Sequence, residues 1–448
     1  VALSAPVELT RVQRYGSAAF GCGVAEMQGW RSSHEDSHDV QCGDVAGGFW
    51  VLDGHGGEAA ARLGAPKLGK AFAVAGSGAK GALPSGEDVR QRFERIDKDL
   101  RERFAQNANE ESGSTVVGAL VAKQPDGSYS LKLINCGDSR AIVVRGGAEQ
   151  EEAAKPVVLG VPEHLSALAS DPEAVENGYA AVARDWPVIQ ETVDHKPSHP
   201  TEHARVEAAG GTVSEEGGEA GPARVDGTLA VSRGIGDFTF KGNAELDAAE
   251  QKVSCIPDVY DVAGLQEGSL CVLCCDGVWD VLSAQEVAAI VRNAVAEDPQ
   301  ADLGDIAATL VRTSFDQKSS DNITAMVVRL GPADAWAQEK PSDEMRHFEQ
   351  LLKGGEKDGD KAEVDEQVRK QCLAFLTRAE FPLEPSPCDM CGRWLVKMQQ
   401  CPCATVQYCN RQCQKIAWKK SHKSICPAVT GSTGGSAGAN RKSKGGKK

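Results

Sequence analysis

The 448-residue chain contains no apolar run near the roughly 20 residues that a membrane-crossing helix needs. Its longest apolar stretches are strand-sized, so no membrane span is expected. The N-terminal Val-Ala-Leu-Ser-Ala-Pro-Val lacks both a basic segment and an apolar core, and no secretory signal is expected there. The first residue is not Met, which fits a processed form or a piece of a longer chain. No internal repeat is visible. A hydrophobic fraction of 41% and a charged fraction of 25% argue against a wholly disordered or collagen-like chain. The length allows two or three domains with at least one sizeable core.

Charge and cysteine are both distributed unevenly. Residues 388–448 carry 12 Lys and Arg against one acid, Asp389, whereas the preceding 387 residues carry a net −26. The large part would repel nucleic acid and anionic membranes at long range, and only the basic end could attract them. Seven of the 15 cysteines fall between Cys388 and Cys426. The others are scattered, mostly within apolar stretches, unlike the dense framework of a small disulfide-bonded secreted domain. The expected location is therefore intracellular, cytoplasmic and/or nuclear. The basic tail reads first as a solvated segment and second as a nuclear-import signal.

Residues 16–330 alternate β-like runs with helical stretches. The runs at 49–53, 130–135, 140–144, 269–275 and 323–330 are rich in Val, Ile, Leu and Cys. Apolar residues at helical spacing predict helices over 87–104 and 284–296. The acidic, Ala-rich stretch 146–188 reads as an insertion. Residues 331–387 read as a charged linker with helices near 342–353 and 362–379, and 427–448 as a disordered basic tail.

The informative pattern in the large part is where its acids stand. Asp53 follows Phe-Trp-Val-Leu and precedes Gly-His-Gly-Gly. Asp138 and Asp276 each follow an apolar run, Asp237 ends Val-Ser-Arg-Gly-Ile-Gly-Asp, and Asp321 precedes a strand. Glu35 and Asp36 sit in Gly-Trp-Arg-Ser-Ser-His-Glu-Asp. Acids converging at the ends of buried strands repel one another without a counter-ion. Carboxylates, carbonyls and water make the hard-oxygen environment that Mg²⁺ or Mn²⁺ prefers. Any single Asp-Gly pair is more often a plain turn; recurrence after apolar strands is what carries the signal. His38 and His195 read as structural hydrogen-bonding residues, and Cys271 and Cys274, which imitate a C-x2-C pair, as buried thiols.

Met-Gln-Gly-Trp-Arg (27–31), Glu-Asp (35–36), Asp-Gly-His-Gly-Gly (53–57), Gly-Ser-Thr (113–115), Asn-Cys-Gly-Asp-Ser-Arg (135–140), Asp-His-Lys-Pro (194–197), Leu-Ala-Val-Ser-Arg-Gly-Ile-Gly-Asp (229–237), Cys-Asp-Gly-Val-Trp-Asp (275–280) and Ser-Asp-Asn-Ile-Thr (320–324) occur in this order. Together they resemble the metal-dependent serine/threonine protein phosphatases of the protein phosphatase 2C family, over residues 16–330. The resemblance implies an α+β fold with two packed antiparallel β-sheets flanked by helices, an αββα sandwich, with a binuclear Mn²⁺/Mg²⁺ centre at one end. It assigns Asp53 as the bridge between the ions, with the Gly54 carbonyl on one of them. Asp237, Asp276 and Asp321 complete the inner shell, and Glu35 and Asp36 act mostly through water. Asp138 matches the position of a third, weaker metal site in some members. Arg31 is the expected phosphate-gripping residue and His55 the general acid. The chemistry suits those residue types: a guanidinium donates paired hydrogen bonds to phosphate oxygens, and a histidine near neutrality can protonate a departing alkoxide.

The second constellation is Cys388-x2-Cys391, Cys401-x-Cys403, Cys409-x3-Cys413 and His422-x3-Cys426, eight ligands that suit two tetrahedral Zn²⁺ ions. A segment this short, with few large apolar residues, would draw much of its folding free energy from metal. Its pattern resembles the MYND zinc finger, which implies that the first and third pairs share one zinc and the second and fourth the other. The Cys401-x-Cys403 step is one residue tighter than the commoner C-x2-C. The resemblance also implies a protein partner, with Gln412 and Trp418 as candidate groove residues, rather than nucleic acid, for which no base-reading motif is present. The expectation is thus a monomeric Mn²⁺/Mg²⁺-dependent phosphatase that hydrolyses phosphoserine and phosphothreonine in protein substrates by a metal-activated water. A finger at 388–426 would recruit partners. The alternative is a non-catalytic phosphatase-like scaffold, against which stands the presence of every expected acid.

Overall fold

Period-two burial organises the first part of the chain. From Leu270 to Cys274, Leu270, Val272 and Cys274 face one apolar layer while Cys271 and Leu273 face another. A strand buried on both faces reads as a continuous apolar run, which is why these segments were visible in the sequence. The structure is a computed structural model and describes residues 2–73, 82–107, 110–146, 157–182, 187–214, 221–333, 343–351, 359–382 and 387–430. The chain divides into two compact units, Val1–Leu383 and Glu384–Lys448.

In the larger unit the strands are β1 (Ala2–Gly16), β2 (Phe20–Arg31), β3 (Ser37–Cys42), β4 (Ala46–Leu52), β5 (Gly54–His55), β6 (Gly113–Ser114), β7 (Val116–Lys123) and β8 (Tyr129–Cys136). They continue as β9 (Arg140–Val144), β10 (Val157–Gly160), β11 (Val188–Glu191), β12 (Ile235–Gly236), β13 (Asp258–Leu265), β14 (Leu270–Cys274), β15 (Ile323–Leu330) and β16 (Asp343–Arg346). One antiparallel sheet runs β11-β9-β14-β15-β2-β1-β16 and a second runs β10-β13-β8-β7-β4-β3. Between them lie Phe20, Val24, Val117, Leu131, Leu133, Val143, Leu273 and Met326, all essentially without solvent contact.

Helices close both outer faces. Val287, Val291, Ile306, Leu310 and Val311, from helices Ala284–Glu297 and Leu303–Asp316, cover the first sheet. Leu68, Phe93, Ile96 and Leu100, from helices Ala59–Ala71 and Gly86–Phe104, cover the second around Trp50. The Gly86–Phe104 and Ala284–Glu297 helices start at capping boxes, Ser85 with Asp88 and Ser283 with Glu286. The result is the αββα sandwich expected from the motifs.

Two segments depart from expectation. The helix expected near 342–353 is instead β16, which pairs with β1 and whose Glu344 accepts an ion pair from buried Arg14, followed by a short 3₁₀ turn at Phe348–Leu351. An available sheet edge outweighed weak local helix propensity. The 146–188 stretch contributes β10 at the edge of the second sheet and short helices Glu163–Ala167 and Pro172–Glu176; its residues 147–156 and 183–186 lie outside the described residues. So do the 352–358 portion of the expected linker and the tail from 431 onward. The second predicted linker helix forms as Gly359–Arg378.

A buried ionic network lies close behind the strand ends that carry Asp138 and Asp237. Glu202 accepts from Arg233 at 2.7 Å and Arg205 at 2.6 Å, while Asp258 accepts from Arg233 at 3.1 Å and touches His195 at 3.0 Å. Burial opposes the charge on Glu202, but Arg233 and Arg205 outweigh it and hold the carboxyl well below its ordinary 4.5. Its contribution is therefore complete above pH 4.5 and is lost as pH falls through the depressed value. Glu202→Gln is expected to cost about 3–5 kcal/mol, because it strands buried guanidinium charge. Denaturant unfolding at pH 7 should show that loss, and the gap between variant and wild type should narrow in acid.

Candidate active site and C-terminal metal sites

The register of the sheets gathers the acids. Ser37 pairs with Leu52 across β3 and β4, which sets Asp36 and Asp53 side by side at the same sheet end. Cys274 pairs with Ala325 across β14 and β15, so the residues just beyond, Asp276 and Asp321, reach the same region from the other sheet. Asp237 follows β12 with a left-handed backbone, φ 50°, a conformation that aspartate tolerates better than most residues. These elements border a cleft of about 630 Å³ lined by Arg31, Glu35, Asp53, Gly54, His55, Asp138, Asp237, Asp276 and Asp321. Asp36 lies behind this lining, 1% exposed, with its carboxylate within 4.8 Å of Asp53 and of the Cys275 thiol. All ten residues expected in the phosphatase site are thus brought to one end of the sandwich.

The electrostatics are those of a site that favours a cation. Burial, then the charges of Asp276, Asp36, Asp321 and Asp138, push the Asp53 carboxyl well above the carboxylate range. Burial, then Asp138 and Asp321, does the same to Asp276. Asp36 is pushed up to about 7, chiefly by burial against the opposing Thr324 hydrogen bond, and Asp138 to about 7 by burial and Asp194. One carboxylate oxygen of Asp36 and one of Asp276 are buried without a hydrogen-bond partner. Orphaned, mutually repelling carboxylates of this kind fit a divalent cation.

Around the acids, His55 Nε2 lies 2.9 Å from both oxygens of Asp237. Burial disfavours the imidazolium, but the Asp237 charge and hydrogen bond prevail and raise the His55 pKa. Arg31, more than half exposed at the cleft mouth, pairs with Asp321. Glu35 accepts from the Gly57 amide at 3.0 Å and from the Ser33 hydroxyl at 2.7 Å.

Three residues escaped the reading of the sequence. Thr324 donates its hydroxyl to Asp36 at 2.6 Å. Asn322 accepts the Glu35 amide at 2.8 Å and donates to the Ser33 and Gln28 carbonyls, each at 2.9 Å. Cys275 accepts the Thr324 amide at 3.1 Å. All three lie in the Asp-Asn-Ile-Thr and Cys-Asp-Gly strings, where an uncharged side chain beside an acid gives no signal of its own. His38 and His195 are structural as expected, the first against Glu26 and Gln13, the second against Asp258 and the Gly137 amide. Cys271 and Cys274 are buried thiols.

In the second unit the eight ligands form two groups, Cys388, Cys391, Cys409 and Cys413, and Cys401, Cys403, His422 and Cys426, with the ligand atoms of each group within 4.8 Å of one another. This is the interleaved pairing that the finger resemblance implied. Cys391 and Cys409 sulfurs are 3.6 Å apart, Cys409 and Cys413 3.3 Å, and Cys401 and Cys426 3.9 Å. A tetrahedral zinc with bonds of about 2.3 Å separates its sulfurs by about 3.8 Å, so the groups fit that ion. The tight Cys401-x-Cys403 step still brings Cys401 to 3.2 Å and Cys403 to 3.4 Å from His422 Nε2. Asn410 caps the Arg411–Ala417 helix by accepting the Cys413 amide at 2.8 Å, which fixes that ligand.

Comparisons with known proteins agree with this geometry. The Protein phosphatase 2C family model matches residues 20–156 and 180–323, and the MYND finger model matches 388–426. The chain is 31% identical to mouse "Protein phosphatase 1B" over 347 residues, covering 73% of this chain and 75% of that protein. It is 32% identical to mouse "Probable protein phosphatase 1N" over 358 residues, covering 78% and 75% respectively. Among solved structures, a phosphatase from Toxoplasma gondii shares the fold with a TM-score of 0.54 at 24% identity, covering 75% of this chain and 99% of that one. The chain belongs to the protein phosphatase 2C family of serine/threonine protein phosphatases and carries a C-terminal MYND finger.

Two outcomes follow from the close approaches and the sulfur groups. A Cβ at Gly113 would run into the Asp237 carboxylate, so Gly113→Ala should keep the fold yet lower turnover about 100-fold, the scale of a 1 Å misplacement. Circular dichroism and steady-state rates would check this. Elemental analysis should find two zinc ions per chain, and Cys409→Ser should lose one and raise amide exchange within 388–426 while the sandwich exchanges as before.

Proposed function

We propose that this chain removes phosphate from phosphoserine and phosphothreonine of protein substrates in a Mn²⁺- or Mg²⁺-dependent reaction. The observation that carries the reading is the convergence of buried, partly unpartnered acids from both sheets on one cleft that also presents His55 and Arg31. Asp53, the Gly54 carbonyl, Asp237, Asp276 and Asp321 would hold the ions. Glu35 and Asp36 would hold coordinated water, and Asp138 would serve a third, weaker site. Divalent cations held there supply acidification of a water and neutralisation of phosphate charge.

The remaining work falls to the chain's own side chains. Arg31, at the mouth, exchanges its Asp321 partner for phosphate oxygens, which its planar fork can grip in pairs. His55, held at 2.9 Å by Asp237, carries the proton that the departing serine or threonine oxygen needs. The C-terminal unit supports a recruiting role: its cysteine and histidine ligands are all used in two closed groups, and Gln412 is exposed while Trp418 is half-buried on neighbouring turns of one helical stretch. We further propose a monomer acting inside the cell, cytoplasmic and/or nuclear; the intracellular part is supported by the absence of a disulfide among the described residues.

The test is hydrolysis of a phosphothreonine peptide and of an aryl phosphate with Mn²⁺ and with EDTA. Turnover should require the metal on both substrates. His55→Ala should slow the peptide by about 10²–10⁴-fold and the aryl ester far less, because a phenolate leaves without protonation. No turnover by the folded, Mn²⁺-supplied protein on either substrate contradicts the reading.

A further inference from the structure

The stretches matched to the phosphatase family end at residue 323, yet a helix beyond them is fastened to the loop that carries Glu35 and Asp36. The Gly359–Arg378 helix belongs to the larger unit and lays its last turns against that loop. Phe375, 1% exposed, stacks face to face on His34, with ring centroids 5.2 Å apart and planes 4° from parallel. His34 is buried and neither ring nitrogen has a hydrogen-bond partner, so it serves as a flat apolar plate.

Three residues on, Arg378 uses two nitrogens of its fork. Nη2 donates to the Asp36 carbonyl and, at 3.3 Å, to the Ser37 hydroxyl; Nε donates to Glu58 at 2.8 Å. Glu58 ends the Asp53-Gly54-His55 turn, so one guanidinium ties together the two backbone segments that hold Asp36 and Asp53. From the opposite side the loop is gripped by Asn322 and Thr324. Loops without such pins sample several conformations, and a site that must oppose several carboxylates cannot tolerate that freedom.

We propose that Arg378 is a positioning residue for the metal-binding acids: with Phe375 on His34, it clamps the 33–37 loop in the geometry that sets Asp36 beside Asp53. The proposal rests on the reading of those acids as cation ligands. It makes the segment leading toward the MYND finger a structural part of the phosphatase site.

The test uses the full-length chain, wild type, Arg378→Gln and Arg378→Lys. Amide hydrogen exchange is measured without metal, and Mn²⁺ binding by titration calorimetry. In Arg378→Gln, exchange should quicken about tenfold in peptides covering 33–37 and stay unchanged in the sheets. Its Mn²⁺ affinity should fall about tenfold, while aryl phosphate turnover recovers when Mn²⁺ is raised. Arg378→Lys keeps the charge but not the fork and should fall between. Unchanged exchange and Mn²⁺ affinity in Arg378→Gln overturn the proposal. Exchange quickened equally throughout both sheets in both variants overturns it too, since that marks general loosening. Failure of the wild type itself to bind Mn²⁺ overturns the metal reading instead, and the exchange measurement still decides whether the loop is clamped.

Discussion

Asp36, Asp53, Asp276 and Asp321 stand where they repel one another, Asp36 buried and the other three half-buried at one end of the sandwich, and the rest of the first unit is arranged to keep them there. Left to themselves, such acids would move apart, take up protons or draw in water. They stay because each is fixed by a strand end whose register is locked by apolar faces on both sides. Slipping β14 by one residue would turn Cys271 and Leu273 out of the inter-sheet core and Leu270 and Val272 away from the helices. The hydrophobic layers therefore hold electrostatic strain in place as well as folding the chain.

Close approach does the remaining work. Gly113 leaves room for the Asp237 carboxylate, Gly54 lets the Glu35 backbone pass, and Asn322 stitches the loop between them to the start of β15. Arg378 supplies the same kind of restraint from a helix that follows the sandwich. The second unit solves a different problem with different chemistry. Its sulfur and imidazole groups suit zinc and make up for a small apolar core, whereas the cleft offers hard oxygens suited to Mg²⁺ or Mn²⁺. The two donor sets thus suit two different kinds of metal ion.

Much of this was legible in the sequence, for identifiable reasons. Strands buried on both faces, such as 270–274 and 323–330, announce themselves as short apolar runs, and acids placed just beyond them stand out by contrast. The interleaved cysteine pairs follow from spacing and the finger resemblance together. What remained hidden depends on contacts distant in the chain. Strand β16 looks helical until β1 offers its edge, and Glu344 looks like a surface acid until Arg14 meets it. Arg378 reads as one more charge in an acidic and basic linker. Nothing local distinguishes it from Arg369, because its role is set by a carbonyl more than three hundred positions away.

The cleft acids are held against their own repulsion in an arrangement that suits a divalent cation. Thermal unfolding of metal-free wild type and Asp53→Asn, each repeated with Mn²⁺, tests it most directly. The metal-free variant should melt above metal-free wild type, because it no longer bears the cost of holding that carboxyl, charged or protonated, among other acids, and Mn²⁺ should raise the wild-type melting temperature but not the variant's. A metal-free variant that melts below wild type, together with a wild type indifferent to Mn²⁺, would contradict it.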